Sequence, residues 1–265
     1  MQGVARSWRG GEARKMTARE GPEITRDLYS NHGRSELPRR MPQEIIRRYR
    51  HFSTRYNEQT GWQTLSEPIL WSELCLCILS SNVHFETAQS AVRHLFSKRL
   101  LDKNGSNRLS RSKIAVELTR PIYLPPRKDG SLRRYRFPNV RASNLVVAWD
   151  VLYRRGDGIK TLLTDSNSVD ETRLQLVRDV PGIGLKEASH FLRNVKFADS
   201  IAIIDTHVVR FLNEFLGLEV SIRGGITKKD YLELESLMRN LSARYQLSLA
   251  PLDMAIWDWM REKGD

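Results

Sequence analysis

The chain has 265 residues, 40% of them hydrophobic, and carries 43 Lys and Arg against 31 Asp and Glu, for a formal net charge of +12. Such an excess of cations suits a polyanionic partner, because binding displaces counterions condensed on a phosphate backbone; a merely basic soluble protein is the duller reading. Two cysteines in one apolar run, Cys75 and Cys77, exclude a disulfide-stapled fold and a four-cysteine zinc or iron–sulfur cluster, and no apolar run nears the ~18 residues of a membrane span.

Residues 1–40 hold nine Arg and Lys, from Arg6 to Arg40, with few large apolar side chains and no sustained period, and read as a disordered basic arm. A short helix begins at Pro42 with Ile45, Ile46 and Tyr49 on one face. The stretch from Ser66 to Ser81 is apolar nearly all round, which predicts a buried central helix. A further helix follows from Phe85 to Leu101, then a loop at Asn104-Gly105-Ser106-Asn107. Residues 121–141 are irregular, with an Asp129-Gly130 turn signal and Arg133, Arg134, Arg136 and Arg141 interleaved with Tyr135 and Phe137. Helices are predicted at 141–155, 158–164, 170–179, 185–196, 206–216, 228–244 and 250–262, with Gly217 as a C-cap. Alternating strand patterns are missing, so the fold class is all-α. Trp62, Trp71 and Trp149 are assigned to the core.

The chemistry concentrates in Val180-Pro181-Gly182-Ile183-Gly184-Leu185-Lys186 and in Asp205, nineteen residues after the lysine. Pro181 and Gly182 end one helix, and Gly184 allows a tight reversal into the next. On that next helix Leu185, Ala188, Leu192 and Val195 share one face, and Lys186, His190 and Arg193 share another, expected to face outward. Free N–H groups around Gly182 and Gly184 lie at the positive end of a helix dipole, which suits a phosphate. Each part has a plain structural reading. The turn can be an ordinary helix connection, the lysine a solvated side chain, and Asp205 an N-cap. Their order and spacing together are far rarer. No metal site is expected: Glu187-Ala188-Ser189-His190 is one E-x-x-H without partner carboxylates, and His207 reads as packing at a helix start.

The region resembles the helix–hairpin–helix DNA glycosylase superfamily, and within it the short second type of 8-oxoguanine DNA glycosylase/lyase, over about residues 42–260. The resemblance implies two helical lobes with an active cleft between them, one lobe spanning 85–195 and the other joining 42–84 to 196–265. It implies Lys186 as the nucleophile, Asp205 as its supporting carboxylate, and Gly182, Gly184 and Arg193 as DNA-phosphate contacts. The run Glu73 to Asn82 resembles the family's buried helix, ending in a polar residue near the space vacated by a flipped base. Tyr135-Arg136-Phe137-Pro138 resembles the segment supplying Phe137 to the base pocket, and Leu252 to Trp257 the helix supplying Trp257 as a second wall.

A lysine nucleophile must be neutral, and the helix N-terminus, Arg193 and Arg178 all favour that form. The expected activity is excision of oxidised purine, with 8-oxoguanine foremost, from double-stranded DNA, followed by strand scission. The protein would act as a monomer in the cytoplasm, associated with the nucleoid. It would need no cofactor beyond a monovalent cation on backbone carbonyls of the hairpin. The chain ends Lys263-Gly264-Asp265 where the subfamily carries a terminal lysine, so a glycosylase for a different damaged base stays open. So does a non-enzymatic DNA-binding module that uses the hairpin only as a phosphate grip.

Overall fold

The computed structural model describes residues 40–102, 109–166, 168–221 and 225–264. The basic arm before residue 40 and the loop at 104–107 lie outside the described residues. Eleven α-helices occur among the described residues. They are α1 (Gln43–Glu58), α2 (Glu67–Ser80), α3 (Phe85–Ser97), α4 (Arg111–Thr119), α5 (Pro138–Trp149), α6 (Ile159–Thr164), α7 (Val169–Asp179), α8 (Leu185–Asn194), α9 (Thr206–Leu216), α10 (Lys228–Tyr245) and α11 (Leu249–Gly264). One π turn, Asp150–Arg154, extends α5. The only β feature among the described residues is an isolated antiparallel bridge between Tyr123 and Arg133. None of the described helices is long and apolar enough to cross a membrane.

The helices start and stop where local chemistry dictates. Ser110, Ser168 and Thr227 each cap a helix by accepting a main-chain N–H three residues on. Gly217 ends α9 in the left-handed region, at φ 67°. Two departures from expectation have clear causes. Helix α1 runs for 16 residues rather than as the short helix expected, because Tyr56 near its end is buried and donates to Asp199 (2.6 Å). Helix α4 carries only two buried apolar side chains, Ile114 and Leu118, one turn apart. That stripe is too thin to announce an amphipathic helix, although Ser110 marks its start.

Two apolar cores organise the helices. The first gathers Leu70 to Leu79 of α2 with side chains from α3 to α8 and reaches Ile201. The second holds Met41 and Ile45 with residues from Ala202 to Met260. Helix α2 was expected in the lobe of the C-terminal helices; it packs instead in the first core. Being apolar all round, it needs cover on every side, and α3, α5, α6 and α8 supply it. Cys75 and Cys77 are buried there as free thiols. Trp71 and Trp149 are buried together edge to face, while Trp62 sits half-buried against Phe197. Helix α1 closes on α11, where Arg48 is bonded to Asp258 and Glu262.

Candidate active site at the α7–α8 hairpin

The turn between α7 and α8 is pinned from below and shaped by one glycine. Val180 and Ile183 bury their side chains in the first core. Gly182 between them has φ +84°, a region L side chains rarely adopt. A Cβ there would also collide with the Asn144 amide and stand 2.9 Å from Arg141 Nη1. Gly184 is extended and serves as the N-cap of α8. Its N–H donates to Glu187 Oε2 (3.2 Å), half of a capping box. That N–H is therefore committed within the protein. The Gly182 N–H meets no acceptor among the described residues.

Lys186 is the second residue of α8. Its side chain is 37% exposed, with Nζ 3.7 Å from Glu187 Oε1, so the amine is neither buried nor turned wholly to solvent. His190, one turn further on, stands among protein groups. Lost hydration, with Arg193 and Lys186 nearby, pushes its imidazole down to about 3. A neutral ring therefore stands beside the amine at physiological pH.

Asp205 reaches the site along an extended segment, 201–204, that is buried but belongs to no sheet. Buried main-chain N–H groups need acceptors, and here side chains provide them. Ala202 N–H donates to Glu235 Oε1 (3.3 Å), Ile203 N–H to Asp253 Oδ1 (3.3 Å), and Ile204 N–H to Tyr231 Oη (3.3 Å). Three groups from α10 and α11 thus hold successive residues and aim the fourth. Asp205 then caps α9: its Oδ1 accepts from His207 N–H and Val208 N–H, both at 2.9 Å. Oδ2 has no partner among the described residues.

No hydrogen bond or ion pair joins Lys186 to Asp205 among the described residues. The two helix starts are linked by rings. His190 faces Phe85 (6.2 Å between centroids), Phe85 faces Trp257 (6.5 Å), and Trp257 meets His207 edge-on (6.0 Å). The Arg261 guanidinium lies 4.6 Å above the Trp257 ring. Trp257 thereby touches His207 of α9 directly and connects to His190 of α8 through Phe85. The ring against it is Phe85, which the sequence marks only as a helix start. Phe137 joins none of these ring contacts: it precedes α5, packs on the first core, and carries Arg136 4.9 Å above its ring. Asn82 follows α2, exposed, at φ 58°. Its neighbour Ser81 accepts from Arg141 Nη2 through its carbonyl (2.9 Å).

Arg193 corrects the expectation for α8. It is buried, ion-paired with Asp253 and bonded to Asn194, so it cannot meet a DNA phosphate. The face assigned to solvent on α8 turns at Arg193 into the seam with α11. Asn194 in turn donates to Glu73 (2.6 Å). Burial, aided by Asp205, raises the Asp253 carboxyl to about 7 despite Arg193. Asp253 therefore ties together α8, α11 and the approach to Asp205. Its sequence signal is a lone acid inside the apolar run Leu252-Asp253-Met254-Ala255-Ile256. Arg178 is exposed and forks onto its neighbour Asp179, at 2.7 and 3.0 Å.

Comparison with known proteins bears on this arrangement. A family model described as 8-oxoguanine DNA glycosylase matches residues 127–247. The chain is 32% identical over 212 residues to an 8-oxoguanine DNA glycosylase/AP lyase of Methanocaldococcus jannaschii, covering 80% of this chain and 85% of that one. It is 33% identical over 191 residues to one from Sulfurisphaera tokodaii, covering 72% and 81%. The structure of the Methanocaldococcus jannaschii 8-oxoguanine glycosylase/lyase with a 15mer DNA containing 8-oxoguanine superposes with TM-score 0.59 at 29% identity, over 81% of this chain and 88% of that one. The 8-oxoguanine DNA glycosylase of Thermotoga maritima gives TM-score 0.56 at 29% identity, over 80% and 86%. The chain belongs to the 8-oxoguanine DNA glycosylase family, with the helix–hairpin–helix fold.

Proposed function

We infer that the protein is a bifunctional enzyme of base-excision DNA repair, an N-glycosylase and abasic-site lyase that removes 8-oxoguanine from double-stranded DNA. The observation that supports this reading is the series of ring contacts, His190, Phe85, Trp257 and His207, that runs between the helix bearing Lys186 and the helix capped by Asp205. Family membership supplies the lesion.

A base inside a duplex is out of reach, so the nucleotide is first extruded. Trp257 offers a half-buried ring on which it stacks, worth roughly 1–3 kcal/mol per base. Phe137 is the second wall in this reading, and exposed Asn82 fills the gap left in the duplex. The Gly182 N–H and the first-turn N–H groups of α8 hold a phosphate without reading sequence. Gly184 shapes that turn while its own N–H is tied to Glu187.

As the bond from the base nitrogen to C1′ breaks, its electron pair leaves with the base and positive charge grows on the sugar. Asp205 stabilises that charge electrostatically. Its Oδ1 is fixed by the helix cap, so the carboxylate is oriented before substrate arrives. In its unprotonated form the Lys186 amine bonds to C1′ and gives up one proton to solvent; the C1′–O4′ bond then breaks, O4′ takes up a proton, and the nitrogen lone pair closes the iminium of a protonated Schiff base. Removal of a C2′ proton then expels the 3′ phosphate by β-elimination.

The carbonyl oxygens of Gly182 and Ile183 accept no hydrogen bond among the described residues. They are hard donors that fit a monovalent cation, which would steady the turn. The enzyme acts as a monomer in this reading.

The test is incubation with duplexes bearing 8-oxoguanine or other damaged bases. Release of free 8-oxoguanine with a strand nick is the expected result. Release from other lesions alone would transfer the reading to another damaged base. Tight binding with neither release nor nick would make the protein a binding module.

A further inference from the structure

Between α4 and α5 the chain folds back on itself at the site's flank. Tyr123 and Arg133 exchange both main-chain hydrogen bonds (3.0 and 2.9 Å). Arg127 N–H donates to Ser131 O (2.8 Å), and Asp129 Oδ1 accepts from both the N–H and the hydroxyl of Ser131 (2.9 and 2.7 Å). Arg133 Nε braces the far arm at Pro125 O (2.8 Å). The base of this reversal is anchored by two buried tyrosines, Tyr123 and Tyr135. The Tyr135 hydroxyl donates to Leu79 O at the end of α2, immediately before the Asn82 turn.

On this braced scaffold Arg127, Lys128 and Arg134 are exposed and make no ion pair among the described residues. The one acid of the reversal, Asp129, accepts both Ser131 hydrogen bonds and is near enough to Arg127 to feel its charge, but forms no ion pair with it. Three exposed cations against one acid leave the reversal with a net positive charge. They become favourable against a polyanion, where each releases a counterion.

We propose that residues 123–136 form a second grip on the duplex, with Arg127, Lys128 and Arg134 contacting phosphates that flank the damaged nucleotide on the Asn82 side. This deepens the repair reading and rests on it for the identity of the polyanion.

The salt dependence of binding tests it. Affinity of the full chain for a duplex with a non-cleavable abasic analogue is measured across a roughly fourfold rise in salt. Each phosphate contact contributes about 0.9 to the slope of log affinity on log salt. The triple variant Arg127→Ala/Lys128→Ala/Arg134→Ala should therefore lose about 2.7 from that slope. The rise in salt would then weaken it about 40-fold less than the wild type. Coincident slopes would overturn the proposal. The conservative variant Arg127→Lys/Arg134→Lys should keep the wild-type slope; a slope as shallow as the alanine variant's would assign the effect to shape and overturn the phosphate contact. Base release by the wild type is scored in parallel. Absent release with separated slopes sinks the enzymatic reading and leaves the grip standing, whereas normal release with coincident slopes does the reverse.

Discussion

The two approaches to the site are held in opposite ways. The hairpin that presents Lys186 is shaped from within, by the left-handed Gly182, the Gly184 N-cap and the buried Val180 and Ile183 on either side of Gly182. The segment that presents Asp205 has no internal device at all. The N–H groups of Ala202, Ile203 and Ile204 are each held by a side chain from a distant part of the chain: Glu235, Asp253 or Tyr231. The proposed nucleophile is thus placed by local turn chemistry and the proposed carboxylate by long-range polar contacts. Damage to the first should stay local, and damage to the second should spread through the second core.

The sharpest break falls on the distant supports. Glu235 is fully buried and pairs with the equally buried Arg173 (2.8 Å) while accepting from Ala202. Glu235→Ala leaves a guanidinium without its buried partner and an N–H without an acceptor, and should cost about 3–5 kcal/mol in denaturant unfolding. Gly182→Ala comes next. Its left-handed φ and the Asn144 amide in its path should cost about 1–3 kcal/mol. Duplex affinity should fall with it while the Asp205 side of the molecule keeps its amide-exchange protection.

A substitution at Asp205 separates stability from chemistry. Asp205→Ala removes an N-cap and should cost about 1 kcal/mol. Asp205→Asn keeps a capping oxygen, so its unfolding midpoint should stay near the wild type while base release is lost. Equal loss of stability in the two variants would count against the capping role.

The same contrast explains what sequence reading could see. Proline, glycine and lysine at fixed spacing spell out the hairpin, because turn chemistry is local. Ten of the helices follow from apolar period and caps for the same reason. Helix α4 escaped because Ile114 and Leu118 alone face the core. Arg193 was misread as a surface cation because helical period separates faces without saying which face meets a partner, and its partner Asp253 lies 60 residues away. The ring series His190, Phe85, Trp257 and His207 joins four separate helices, so no local pattern encodes it. The lobe assignment of α2 failed likewise: an all-round apolar helix announces burial and not the core that receives it.

The most direct measurement traps the covalent intermediate. Borohydride reduction of the protein mixed with an abasic or 8-oxoguanine duplex should give a stable protein–DNA adduct, and peptide mapping should place the DNA on Lys186, with Lys186→Gln giving none. An adduct mapped to Lys196 or any other amine, or one that persists in Lys186→Gln, would contradict the account.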